Sequence, residues 1–558
     1  MGVPLFRVNR PGGIGTGLRA AASLMPASGA VTSRPSPRSP NSSAFRLLSV
    51  FAGTLLLLTV GATTTLRTAS AATGDIGFQG PSHSGTGTPT GTKRSESVEW
   101  YNDGAWWANM WDTASSDFHI FKLNGSTKKL VDTGVVTQTR SNTHSDVLWS
   151  GGKLYISSHQ FVSDGQLAVS GSPSYLFRYT YAGGKYTLES KSQINNYKTE
   201  TLTIDKETNS SVLWATWQQG NRIYVTHTTG TANTTWATPF PLPGAPAVTV
   251  DDTSALIAFS GKIGVMWGSQ GGTAADGYYF STHTNGAADS AWSTPVNASR
   301  GTKLGDDHMN LKWLDTSGGV VYAAVKTSLT SAGDPLIQLL RFNGTWSTHT
   351  IAKVSECPNR VIVLIDETAQ RLRTFATYPK PAGTTNGGVC TASGGAIYEK
   401  SSPMSNISFP SGLGNPVMMD ADSYLHNVSS TKQNITSATG LALLADNNAT
   451  RTYWYSYEPP TGTPVDTTPP DTTITSGPSG TVSATSASFS FSATETSTYT
   501  CSLDGAAFTA CSSPKAYSGL AAGAHTLPLD TRRLANGVYF LRFEAGTDTR
   551  SARLVVSH

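Results

Sequence analysis

The clearest pattern in the chain is Arg94–Asp112, R-S-E-S-V-E-W-Y-N-D-G-A-W-W-A-N-M-W-D. A polar lead-in (Arg94, Ser95, Glu96, Ser97) precedes a strand-like Val98–Tyr101. The turn Asn102-Asp103-Gly104 and a second strand, Ala105–Trp111, follow. Apolar stretches bounded by Asn, Asp and Gly predict antiparallel hairpins. The same plan recurs from His144 (H-S-D-V-L-W-S-G-G-K-L-Y-I-S-S-H), near Glu200, and from Asp251, Asp306, Asn359 and Lys432. Units of roughly 40–60 residues that cannot bury both faces alone predict a β-propeller. Seven blades fit best, with six or eight also compatible. The seventh unit is short of outer strands. Asp75–Gln79 can supply one, closing the ring between the two ends of the domain.

The propeller is expected over residues 72–457. Residues 458–471 form a Pro/Thr-rich extended linker. Residues 472–558 alternate cleanly over Ala487–Ser492 and Tyr499–Leu503 and end in a hairpin of Val538–Glu544 and Ala552–Ser557. This predicts a β-sandwich with one wet face. Residues 1–71 read as an export leader. The apolar run Leu47–Ala62 follows Arg34, Arg38 and Arg46 and precedes an Ala69-Ser70-Ala71 cleavage site; Met25 is an alternative start. The run is shorter than the ~20 residues of a bilayer span, so no membrane span is expected after cleavage.

Charge changes the picture once the leader is set aside. The chain of 558 residues has a formal charge of +4. Without the leader's seven arginines, 33 basic residues face 36 acidic ones. That balance excludes general nucleic-acid binding, which needs a basic footprint. The four cysteines suit an oxidising compartment: Cys501 and Cys511 close a short loop, and Cys357 and Cys390 form the other local pair. There is no C-x-x-C or Cys/His cluster of a zinc-binding kind.

The segment from about Thr467 to Thr526, with C-S-L-D-G-A-A-F-T-A-C at its centre, resembles a bacterial Ig-like repeat of large secreted proteins. That resemblance implies a Cys501–Cys511 bridge. The chain departs from the pattern after Thr526. Its tail, through Leu534, Gly537, Val538, Tyr539 and Leu554, is similar to C-terminal sorting or surface-attachment modules. Residues 75–457 resemble an uncharacterised class of secreted bacterial β-propellers carrying S-E-S-V-x-W, W-W-A-N-M-W-D and S-A-T-G-L. That class implies no activity. Sialidase R-I-P and S-x-D-x-G-x-T-W segments are absent, and no diagnostic spacing of propeller polysaccharide lyases occurs.

In a propeller the lead-in residues of each repeat meet at the channel mouth. This gathers acids, bases and cations that could bind a polar polymer. For β-elimination the candidate bases are His144 and His308, with Arg94 or Arg360 neutralising a uronate carboxylate. Hydrolysis would instead need carboxylate pairs such as Glu96 with Glu200, or Asp146 with Asp307, roughly 5–9.5 Å apart. Asn310, Lys312, Lys432 and Gln433 complete the ligand-binding set. The same side chains could equally cap strand ends and satisfy one another. No cofactor is expected. Asp306-Asp307 could take Ca²⁺ through hard oxygens, although no D-x-D-x-D-G run is present. Trp106, Trp107 and Trp111 alternate imperfectly, so they cannot share one face. The expected role is recognition of an extracellular ligand, a glycan or surface polymer, by a secreted or surface-displayed protein. A carbohydrate-active enzyme (lyase before hydrolase) and a purely adhesive surface protein are the alternatives.

Overall fold

The computed structural model describes residues 75–163, 165–230, 232, 234–315, 319–379, 395–420, 424–461, 472–478, 484–493, 499–503, 509–520, 537–545 and 548–556, the last two through backbone alone. The leader, Cys390 and most of the linker lie outside them. Among the described residues no helix is long and apolar enough to cross a membrane.

The protein is all-β, and its larger part is a β-propeller. Strands within 99–138, 143–198, 203–241, 254–300, 309–353 and 359–419 form six successive antiparallel meanders. A seventh contains Leu425–Ser429, Leu441–Asn447 and Thr452–Glu458. Its fourth strand is Phe78–Ser82, with Phe78 opposite Tyr455 and Ser82 opposite Thr452. The expected closing strand therefore exists, shifted slightly downstream of Asp75–Gln79. The innermost strands touch their neighbours in chain order, and Leu441–Asn447 meets Glu99–Asn102 to complete the circle.

Local chemistry explains the units. The first hairpin turns on Asp103 (φ 51°) and Gly104 (φ 67°), the two left-handed positions of a type I′ turn. Along Ala105–Asp112, Trp106, Ala108 and Met110 join a core shared with the sixth and seventh meanders. Trp107 points the other way, into a core with Val147, Ile156, Tyr179 and Tyr186. Trp111 packs with the even-numbered set, so the alternation is broken as the sequence suggested. Further cores fill the spaces between the later meanders. Trp100 donates to Tyr186 Oη at 2.7 Å, which satisfies a buried indole N–H.

The seventh unit differs from the expected register. Its innermost strand is Leu425–Ser429, ahead of Lys432. Lys432 and Gln433 thus follow an inner strand instead of leading into one, which places them at the opposite end of the channel.

Beyond the propeller, Thr472–Ser476, Ser486–Ala493 and Lys515–Ser518 form a three-stranded sheet. Tyr499–Cys501 pairs with Thr509–Cys511, and Gly537–Ala545 pairs with Asp548–Val556. Cys501 and Cys511 are bonded, with Cα atoms 5.8 Å apart. Cys357 is also disulfide-bonded.

Candidate functional site: a plugged channel with one open end

Residues 83–98 link the closing strand to the first meander and fill the channel axis. Thr90 Oγ1 donates to Asn427 O and Asp446 Oδ2, both at 2.8 Å, in the seventh meander. Lys93 Nζ lies 3.1 Å from Glu200 Oε1 and also pairs with Asp307. Asn310 Nδ2 donates to Arg94 O at 2.8 Å. Leu202 N–H donates to Glu96 Oε1 at 3.1 Å, and Ser97 N–H to Asp146 Oδ1 at 3.0 Å. One short segment meeting the second, third, fifth and seventh meanders must run along their common axis. Lys93 and Arg94 are each 2% exposed and Glu96 is 3% exposed.

The lead-in residues do come together, but under this axial segment and not at an open mouth. His144 lies beside Glu96 and is pushed down to about 3, by burial first. Arg94 donates to the carbonyls of Val428 and Gly91 and is pushed down to about 9, by burial and then by Arg360. Arg360 is half-buried in a left-handed conformation. His308 contacts Asp307 and lies 2.8 Å from Asp306 Oδ1. Burial alone would raise Asp307, but His308, Asp306 and Lys93 together hold it well below the usual carboxylate range. Asp306 and Asp307 form a grouping with His308 that could hold a metal. Lys326 Nζ already sits 2.7 Å from Asp306.

The other end of the channel is open. A cavity of about 420 Å³ is bordered by Ser97, Trp149, Asp205, Lys206, Asn310, Lys312, Trp313, Lys432, Gln433 and Asn434. Trp149, Asp205, Lys206 and Trp313 lie toward the ends of inner strands, and Lys432, Gln433 and Asn434 follow one. Asn310, Lys312, Lys432 and Gln433 were expected at a ligand site. Trp149, Asp205, Lys206, Trp313 and Asn434 were not singled out. The signal for several of them was their place at or next to the first turn of a repeat. Lys432 Nζ bonds Asp146 Oδ2 at 2.9 Å and Ile204 O at 2.7 Å. Asp146 is pushed up to about 6, and Asp205 is also raised, both by burial first. Gln433 is held by Tyr101, accepting its N–H at 2.8 Å and donating to its carbonyl at 3.1 Å. Trp313 Nε1 is buried with no hydrogen-bond partner. A second cavity, about 470 Å³, lies off the axis beside Arg373 and Tyr457. Arg373 is engaged by Glu399 and Glu458 there.

Lys312 gives a direct stability test. Its amine lies 3.3 Å from Asn310 Oδ1 and from Leu311 O. Burial, and then Lys432, push it down to about 7 from 10.5. Between those two values the unfolded chain holds a proton that the folded chain does not, so stability rises with pH across that window. Below pH 7 the full charging cost is present. Lys312→Met is expected to stabilise the chain by about 2 kcal/mol at pH 6. The gain should shrink toward pH 10. Urea melts at both pH values check this, and equal gains at both would contradict it.

No protein-family model matches the chain, and no curated protein matches it. Several solved structures are similar in strand arrangement. A protein of unknown function from Dyadobacter fermentans is 10% identical with a TM-score of 0.36, over 57% of this chain and 96% of that one. The six-bladed β-propeller lectin of Aleuria aurantia is 12% identical with a TM-score of 0.34, over 58% and 96%. An α-L-arabinofuranosidase from Lactobacillus brevis is 11% identical with a TM-score of 0.29, over 47% and 95%. At these scores none of them assigns a residue or a ligand to this chain.

Proposed function

We propose that the chain is an exported or surface-displayed β-propeller that binds a glycan at the open end of its channel, without catalysing a reaction on it. The carrying observation is the asymmetry of the channel. The candidate bases His144 and His308 are buried against Glu96, Asp306 and Asp307. The open cavity instead combines the half-buried Trp149 and Trp313 with Asp205, Lys206 and Asn434. Aromatic faces beside fixed polar groups suit a sugar, whose rings carry apolar C–H faces and hydroxyl edges. The leader, the Ig-like reading of residues 472–558 and its sorting-like tail support delivery to the cell exterior.

The test is a polysaccharide array probed with the full chain. Trp313→Ala should weaken binding about tenfold, close to 1.4 kcal/mol, read at a temperature where the variant is folded, because Trp313 also packs against the core of the fourth and fifth meanders. Unchanged binding by that variant would move the site elsewhere. Release of unsaturated sugar products by the wild-type chain would favour the lyase reading. Absence of both binding and products would favour adhesion.

A further inference from the structure

We propose that Glu96, His144 and His159 form a structural zinc site that fastens the axial segment to the second meander. The three side chains come from three pieces of backbone. Glu96 lies on the axial segment, His144 on Thr143–Ser150, and His159 on Lys153–Gln160, directly opposite His144 in the ladder. Their donor atoms lie within 4.8 Å of one another. All three are buried, His159 completely.

Each ring is held on the nitrogen that faces away from Glu96, which leaves the other turned toward the carboxylate. His159 Nδ1 lies 3.1 Å from Thr199 O. Thr199 Oγ1 lies at the same distance, so the backbone and hydroxyl of Thr199 together hold this nitrogen. Nε2 then faces Glu96 Oε1 at 2.6 Å. In the metal-free chain a proton occupies this contact, and zinc would displace it. An Nδ1–H held by a backbone carbonyl is the arrangement that orients metal-binding histidines. His144 has the complementary geometry. Its Nε2 is 3.0 Å from Thr88 Oγ1. Its Nδ1 is buried without a hydrogen-bond partner, 3.7 Å from Glu96 Oε2. Leu202 N–H orients the carboxylate. The two rings are nearly perpendicular, at 86°, with centroids 5.8 Å apart. Tetrahedral zinc separates adjacent nitrogen and oxygen donors by roughly 3.3 Å. The distances of 2.6 and 3.7 Å straddle that value, so sub-ångström shifts complete the site. Two imidazoles and a carboxylate suit zinc and leave its fourth position to a water, while burial away from the open cavity suits a fastening role.

The experiment uses the full chain, expressed with added Zn²⁺ and purified without chelator. Mass spectrometry should find about one zinc per chain. Zinc X-ray absorption should show two imidazoles and carboxylate oxygen. Chelation should lower the melting temperature, and Zn²⁺ should restore it. His144→Gln and His159→Gln should each lose most of the metal, whereas His119→Ala, at a separate His/Asp cluster, should keep it. Zinc-free protein whose melting is unchanged by added Zn²⁺ would overturn the proposal. So would zinc retained in both His→Gln variants. Should those variants not fold, absorption on the wild-type chain decides: a single imidazole overturns the site.

Discussion

Asp146→Ala is expected to cost about 4–6 kcal/mol, the largest effect of any single polar substitution in the channel. Asp146 is fully buried. Its two oxygens accept from Ser97 N–H at 3.0 Å, Ile204 N–H at 2.8 Å and Lys432 Nζ at 2.9 Å. One carboxylate therefore ties the axial segment, the third meander and a cation together. Alanine strands two amides, each costing about 1–3 kcal/mol when left unpaired. It also leaves an ammonium without its counter-charge, a loss of about 3–5 kcal/mol when a buried pair is broken. The terms overlap, so their sum overstates the total. Lys432 keeps its bond to Ile204 O, which limits the cost further. Asp146→Asn, which keeps an acceptor, should cost about half as much. Urea denaturation followed by tryptophan fluorescence checks both, and a loss under about 1 kcal/mol for the alanine variant would show the hub to be redundant.

The second large effect is expected at the ring closure. A chain starting at His83 keeps the axial segment and loses Phe78–Ser82. Thr452–Glu458 then becomes an exposed edge. Phe78 also loses its stacking on Tyr455, whose ring lies 5.3 Å away. The expected result is about 3–5 kcal/mol lower stability and concentration-dependent self-association, because open edges recruit other strands. A peptide spanning residues 75–82 should reverse both by adding back the missing strand. Gly77→Val tests the closure without shortening the chain. Gly77 has φ +84°, and a Cβ there would lie 2.9 Å from Tyr455 O. Sedimentation and thermal melts should place this variant near the truncated chain. A monomeric truncated chain with wild-type melting would show the closing strand to be dispensable.

Much of the architecture was legible because its determinants are local. The N-D-G turn and the alternation around Trp106 and Trp107 specify a hairpin within a dozen residues. The seventh unit slipped because Leu425-His426-Asn427-Val428-Ser429 carries polar residues that the channel buries, so it lacks the apolar signature of an inner strand. The axial segment was illegible for a related reason. Up to Thr92 it is rich in Gly, Ser, Thr and Pro and carries no repeat pattern, and partners for Thr90 and Arg94 come from Asn427, Asp446 and Val428. The meeting of the lead-in residues followed from repeat geometry. Which end of the channel stays open did not, because that depends on where residues 83–98 thread. His159 was within reach: folding H-S-D-V-L-W-S-G-G-K-L-Y-I-S-S-H on its Gly-Gly turn sets it opposite His144.

The closing strand also sets a clock. Ser82 meets Arg451 across 369 residues of sequence, and the axial segment draws partners from four meanders. Contacts of such long range slow folding, because loop-closure entropy is lost before they form. Six meanders can assemble by neighbour pairing as the chain emerges. The seventh lacks its outer strand until the two ends of the domain meet. Closing the circle and seating residues 83–98 are thus expected as one late event, so circularity and a blocked channel should appear together in refolding kinetics.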